Sequence, residues 1–458
     1  MPLEERRSHM EQHHKDTSST LRSGEPVSTK LWRIAEKARK EPKFKFTSLF
    51  HLMNKELLRE CFDWLRGNAA SGIDRMTKDC YGQTLDENLS HLVDRLHKMS
   101  YKPQPVMRVY IPKAGSKKLR PLGIPTLEDK LVQKALTMIL ESIYEQDFIA
   151  DSYGFRPNKG CHLALKMLTK SVENRPTNHI VEADIKGFFD NISHEWLLKF
   201  LNHRIEDKRI LRLVKRILRA GIIEDGIVKK GVKGTPQGAV CSPVLANVYL
   251  HYVLDIWFEK DFKKKCNGYA RIIRYCDDFV VCFQSGEEAL KFMKALEERL
   301  GKFELEIEAS KSKILEFGRL AYENAKQNGR KPDTFDFLGF THYCSTGRDG
   351  KRFRMRRKTS NKSFIAKLRA FKEWLKVSRT LPTIELIKEV NAKLKGHYGY
   401  YGVSDNYRSI SRFLHEVKRS LFKWLNRRGK KNCLNWEKFD NLLKRLPLAK
   451  PRIMVNLF

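Results

Sequence analysis

The chain has no run of 18 apolar residues, no lipidation signal, and no apolar centre in its first 30 residues. A spanning helix needs about 20 such residues and a secretory leader needs an apolar core, so neither a membrane nor an export route is expected. Cysteine is present without a pattern. Nine residues (Cys61, Cys80, Cys161, Cys241, Cys266, Cys276, Cys282, Cys344, Cys433) are scattered and never spaced C-x-x-C. That excludes a disulfide framework and a structural zinc site, and fits reduced thiols inside a cell. Internal repeats are missing too. Negative charge is scarce: 54 Asp and Glu stand against 89 Lys and Arg, a net charge of +35. An excess that large exceeds what solubility requires and points to a polyanionic partner, most commonly nucleic acid.

What is present is a chain of 458 residues with an ordinary 41% apolar fraction, enough for two or three domains around a substantial core. Residues 1–30 are polar and aperiodic and read as a flexible arm. Residues 31–65 show helical spacing, and Gly-rich residues 67–74 break it. Residues 106–112 alternate as a strand, 113–118 form a basic turn, 120–125 return from it, and a helix is predicted over 127–143. The middle third mixes strands and helices, the mark of an α+β fold. From residue 351 onward there are 29 Lys and Arg against 7 Asp and Glu. This basic region reads as helical: Ile410, Phe413, Leu414, Val417, Leu421 and Trp424 share one face. A domain boundary is placed near residue 350.

Two acidic motifs carry the chemistry. Asp184 ends a strand-like stretch over 179–185, and Asp277-Asp278 stands between the apolar runs Ile272-Ile273 and Phe279–Phe283, at the tip of a predicted hairpin. Between them lies Gly234-Thr235-Pro236-Gln237-Gly238. An isolated Asp-Asp pair is more often a capped turn. Carboxylates offered together from neighbouring strand ends suit two Mg²⁺ ions straddling a phosphoryl group in transfer.

These blocks, taken in order, resemble the reverse transcriptase/maturase proteins encoded by group II introns. The resemblance rests on Ile111-Pro112-Lys113, Leu119–Pro125, Tyr153-Gly154-Phe155-Arg156-Pro157, Asp184–Asp190, Thr235-Pro236-Gln237-Gly238 with Ser242-Pro243, and Tyr275-Cys276-Asp277-Asp278. It continues through Lys311-Ser312-Lys313, Phe337-Leu338-Gly339-Phe340, Leu394–Tyr401 and Pro451-Arg452-Ile453. Only the first 40 or so residues fall outside it.

The resemblance implies a right-hand polymerase: fingers and palm over 31–350, with an N-terminal extension over 31–75, then a basic helical thumb and maturase domain over 351–458. It implies copying of an RNA template from a DNA primer with dNTPs, binding of a group II intron RNA and of target DNA, and a bacterial cytoplasmic or nucleoid setting. Asp184, Asp277 and Asp278 would be catalytic, with Asp184, Ile185 and Asp277 holding two Mg²⁺ ions. Lys113, Arg120, Phe189, Gln237 and Lys313 would surround the nucleotide, Phe189 by crowding its 2′ position; Lys311 competes with Lys313. Phe188, and at least two of Tyr398, Tyr400 and Tyr401, read as packing residues. The run 351–358 is predicted to bind RNA phosphates through Arg352, Arg354, Arg356, Arg357 and Lys358. The chain shows no H-N-H endonuclease cysteines, so a primer supplied from elsewhere, such as a nascent strand at a replication fork, is expected. Two other readings stay open: a maturase with a vestigial polymerase site, and a reverse transcriptase adopted for repair or phage defence.

Overall fold

Pro42 and the pairing of Phe46 with Ile205 interrupt the helical spacing of residues 31–65, so two helices form there, α1 (Val27–Lys40) and α2 (Lys55–Trp64). The structure is a computed structural model and describes residues 27–112, 119–229, 231–347, 349–428 and 434–458. Most of the predicted arm, and Lys113, lie outside the described residues; α1 already begins inside the last residues assigned to the arm. Asn54 starts α2 by accepting the Leu57 N–H at 3.0 Å, an N-cap that satisfies an otherwise unpaired donor.

Short helices α3 (Lys78–Gly82) and α4 (Leu85–His97) lead to strands β1 (Val106–Pro112) and β2 (Leu119–Ile124), antiparallel from Met107↔Ile124 to Pro112↔Leu119. Helix α5 (Leu127–Tyr144) starts at Thr126, whose hydroxyl accepts the Asp129 N–H. It is buried on nearly every side because α1, α2 and the later helix α10 (Ser242–Leu250) pack around it. Next come α6 (Cys161–Glu173), β3 (His179–Ala183), α7 (Phe188–Asn191), α8 (His194–Leu201) and α9 (Lys208–Arg219). Strands β4 (Ile222–Glu224) and β5 (Ile227–Lys229) complete the first sheet in the order β2-β1-β4-β5, β4 running parallel to β1.

Helix α10 (Ser242–Leu250) precedes the hairpin β6 (Ala270–Tyr275) and β7 (Asp278–Phe283), then α11 (Gly286–Gly301) and β8 (Lys313–Glu316). The second sheet has the order β6-β7-β3-β8 and is antiparallel throughout. Alternate side chains of a strand point to opposite faces. Val181, Ile272, Phe279 and Val281 enter one core, and Ile180, Ile273, Val280 and Cys282 enter another. A sheet covered on both faces explains why residues 279–283 are apolar without a break.

Helix α12 (Arg319–Gln327) leads to a third sheet of β9 (Thr334–Phe337), β10 (Phe340–Thr346) and β11 (Phe353–Thr359). Four helices follow: α13 (Asn361–Ser378), α14 (Thr383–Tyr401), α15 (Tyr407–Asn426) and α16 (Trp436–Arg445). A boundary at residue 350 cuts the β10–β11 hairpin, which is paired from Phe340↔Thr359 to Thr346↔Phe353, so the helical part begins at Asn361 instead. The stripe on α15 is as predicted, with Ile410, Phe413, Val417 and Leu421 buried. Tyr398 and Tyr401 are buried, and Tyr400 donates to the Leu338 carbonyl at 3.1 Å, so all three tyrosines pack within the fold.

Candidate active site

The register of the second sheet assembles the carboxylates. Ala183 pairs with Phe279, so the next residues toward the same sheet end, Asp184 and Asp278, leave neighbouring strands side by side. Tyr275 pairs with Asp278, leaving Cys276 and Asp277 as a two-residue turn. Cys276 holds φ at +59°. This first turn position favours Gly, and a side chain there carries strain.

A buried network fixes that turn. The Arg274 guanidinium is fully buried and donates Nε to Asp255 at 2.7 Å. Its Nη1 donates to the Asn247 side chain and to the Cys276 carbonyl, each at 3.0 Å. Asn247 donates in turn to the Gly154 carbonyl at 2.7 Å. A Cβ on Gly154 would lie 2.4 Å from the Cys276 nitrogen, so the segment around Tyr153 can support the turn only with glycine at that position. Spacing and composition do not single out Arg274, Asn247 or Asp255. A buried Arg–Asp pair is recognisable only once the chain is folded.

The electrostatics follow from this crowding. Burial raises the Asp277 carboxyl above its ordinary range and the Asp184 charge adds to the effect, while Arg120 opposes it. Solvent reaches the Asp278 side chain, yet the protein packed around its carboxyl desolvates it. With the charges of Asp277, Asp184 and Glu182 added, this pushes Asp278 up to about 7. The Leu338 backbone, at the β9–β10 turn, bonds to Asp278 and partly offsets the rise. Burial pushes the Cys276 thiol well up, leaving it protonated and inert.

Lys311 forms an ion pair with Asp184, whereas Lys313 stands 3.4 Å from Glu182. Of the two lysines, Lys311 is therefore the one that meets Asp184, and Lys313 is turned toward Glu182. Ile185 faces Ile307 in an isolated bridge whose two hydrogen bonds use the Asp184 carbonyl and the Lys186 N–H, leaving the Ile185 carbonyl out of the pair. Among the described residues no three His, Cys, Asp or Glu side chains converge as a ready-made metal cage. The donors do suit Mg²⁺, which binds through one or two carboxylates together with water and substrate phosphates. The Lys311 ammonium already occupies Asp184 as a cation.

The nucleotide-side residues gather around the same end. Phe188 is buried, while Phe189 is half-buried and its carbonyl accepts the Thr235 N–H at 2.8 Å. A Cβ on Gly234 (φ +80°) would meet the Phe189 carbonyl oxygen at 2.8 Å, so this loop lies directly against α7. The Gln237 carbonyl accepts the Gly123 N–H of β2 at 2.6 Å, which ties the loop to the strand carrying Arg120. Arg120 is exposed and acts electrostatically on Asp277.

The basic run 351–358 is divided by strand alternation. Arg357 is fully buried, donates to Thr169 at 2.7 Å, and has its pKa lowered to about 10 by desolvation. It cannot reach an RNA phosphate, which corrects its assignment. Arg354 pairs with Glu173 at 3.2 Å and stacks on Phe458, and Arg356 bonds to the Thr346 carbonyl. Arg352 and Lys358 remain exposed.

With this geometry in place, the sequence comparisons are decisive. The family model described as reverse transcriptase (RNA-dependent DNA polymerase) matches residues 111–342, just over half of the chain. The chain belongs to the reverse transcriptase family. The model of the group II intron maturase-specific domain matches residues 361–441, beginning at the first residue of α13. The group II intron-encoded protein LtrA of Lactococcus lactis subsp. cremoris is 29% identical over 480 residues, covering 87% of this chain and 77% of that protein. Protein YkfC of Escherichia coli is 40% identical over 190 residues, 41% of this chain and 49% of that one. Nuclear intron maturase 3 of Arabidopsis thaliana is 32% identical over 130 residues, 28% of this chain and 18% of that protein. This reverse transcriptase is therefore an RNA-directed DNA polymerase carrying a group II intron maturase domain. Among the described residues no helix is long and apolar enough to cross a membrane.

Proposed function

We propose that the protein copies group II intron RNA into DNA and binds that RNA to assist its splicing and retrohoming. It would take an RNA template, a DNA primer, dNTPs and target DNA as partners. The observation that carries this reading is the meeting of Asp184, Asp277 and Asp278 with Arg120, Phe189 and the Gln237 loop at one sheet end. In the right-hand description, the first sheet is the fingers, the second the palm, and the helices from α13 onward the thumb and maturase domain.

Asp184 and Asp277, with the Ile185 carbonyl, would hold two Mg²⁺ ions, which when bound activate the primer 3′-hydroxyl and neutralise charge on the triphosphate. Arg120 grips the triphosphate as a fork, joined by Lys113 from the adjoining loop. Phe189 crowds a 2′-hydroxyl, and Gln237 lines the nucleotide pocket. Lys311 balances Asp184 before substrate arrives. Arg352 and Lys358 contact intron RNA phosphates.

The test is extension of a DNA primer on an RNA template with dNTPs or rNTPs. The wild type should extend with dNTPs and discriminate against rNTPs, and Phe189→Ala should incorporate ribonucleotides more readily. Unchanged sugar selectivity would refute the role of Phe189. Absence of any wild-type extension, with RNA binding retained, would favour the maturase without a working polymerase site.

A further inference from the structure

Helix α9 is built against its own electrostatics. Six of its twelve residues are Lys or Arg and none is acidic. Ile210, Leu213, Val214, Ile217 and Leu218 bury its apolar face, which leaves Arg212, Lys215 and Arg219 exposed along one stripe. Residues three and four apart on a helix are neighbours, so Arg212 faces Lys215 and Arg216, and Lys215 faces Arg219, each with like charge. The helix dipole favours cations in the last turn, which accounts for Arg216 and Arg219 but not for Arg212 or Lys215.

Several cations elsewhere on the molecule are paired with acids. Lys37 pairs with Glu41, Lys199 with Glu195, Lys263 with Glu259 and Arg319 with Glu323, each four residues apart. Just beyond α9, Lys229 and Arg108 share Glu224, and Lys233 pairs with Glu304. Arg216 also has a structural task, donating to the Met99 and Tyr101 carbonyls at 2.8 Å each. Together with Lys102, the stripe borders an open groove of about 710 Å³ with Leu211 in its wall, and among the described residues no acid lines it. The groove shares no lining residue with the carboxylate site.

We infer that this groove is a second RNA-binding surface, in which Lys102, Arg212, Lys215 and Arg219 hold the phosphodiester backbone of a folded RNA away from the polymerase site. The stripe runs about 10 Å from Arg212 to Arg219, long enough to meet successive phosphates rather than one ion. RNA is the partner because the chain carries an intron maturase domain and the primer–template is assigned to the carboxylate end of the second sheet; to that extent the inference rests on the proposed function.

The experiment compares wild type with the triple variant Arg212→Ala/Lys215→Ala/Arg219→Ala. Binding of a labelled RNA hairpin, and of a DNA hairpin of the same sequence, is titrated across salt concentrations. Primer extension on a short oligonucleotide template is measured in parallel. Loss of three phosphate contacts should weaken RNA binding at least about 10-fold and make the salt slope shallower by about 2 to 3. Extension should hardly change, and binding of the DNA hairpin should fall less than that of the A-form RNA hairpin. The charge-preserving variant Arg212→Lys/Arg219→Lys should keep the wild-type slope, and equal melting temperatures show that all the variants fold. An unchanged slope in the triple variant would return α9 to an ordinary solvated face. A parallel loss of extension would place the groove on the template path, and an equal loss with DNA would make it a general polyanion surface; either result overturns the inference. If wild type fails to bind the RNA hairpin at all, the proposed function falls along with the groove.

Discussion

Asp277 owes its position to the residue before it. A cysteine at φ +59° is a costly choice for a two-residue turn, by about 1–3 kcal/mol, and it persists because Arg274 grips the Cys276 carbonyl from below. Arg274 is thus a positioning residue. Arg274→Ala would leave Asp255 buried without its partner, a loss of roughly 3–5 kcal/mol that urea unfolding should register. The milder Asn247→Ala, which removes one bond to Arg274 and one to Gly154, should lower kcat while leaving KM for dNTP and RNA affinity nearly unchanged. Equal changes in kcat and RNA affinity would mean that Asn247 holds the whole fold rather than the turn.

At the scale of elements, β11 shows how burial sorts a charge run. Neutralising Arg352 and Lys358 should flatten the salt dependence of RNA binding by roughly 0.9 per phosphate contact, because both are exposed. Arg357→Met should leave that slope alone and act on stability only, since Arg357 points into the core toward Thr169; a flattened slope for this variant would contradict the assignment. The sequence did not separate these residues because the alternation of Phe353 and Met355 with Arg354 and Arg356 puts a cation, Arg357, where the buried face calls for an apolar residue. Elements with regular spacing were legible: β1, α5, β3 and the β6–β7 hairpin fall within a residue or two of the prediction. The boundary near 350 was misplaced because the rise in charge begins inside a hairpin whose pairing is nonlocal. The order of Asp184, Gln237 and Asp277 could be read from the chain. The tie of Lys311 rather than Lys313 to Asp184 depends on how a short helical turn meets β8, which spacing alone does not reveal.

Over the whole molecule, acid should unfold the protein through its buried histidines. His397 stacks on Phe413 at 3.8 Å and His342 on Phe335 at 4.9 Å, and burial lowers both to about 3; His251 is lowered to about 4. These rings are neutral in the fold but take up protons when unfolded. Stability is therefore complete above the unfolded value of about 6.5 and falls as pH drops toward the folded values, by up to about 1.4 kcal/mol per pH unit for each ring. Urea midpoints should fall steeply between pH 7 and pH 5, and His397→Leu should show a shallower fall; an identical pH slope would show that His397 titrates normally.

The central claim, that one sheet end unites three carboxylates into a DNA-synthesising site served by separate RNA-binding surfaces, is tested most directly by Asp277→Ala. Primer extension on an RNA template with dNTPs and Mg²⁺ should disappear in the variant while intron RNA affinity stays within about twofold of wild type. Extension that survives the substitution, or RNA binding that collapses with it, would contradict the account.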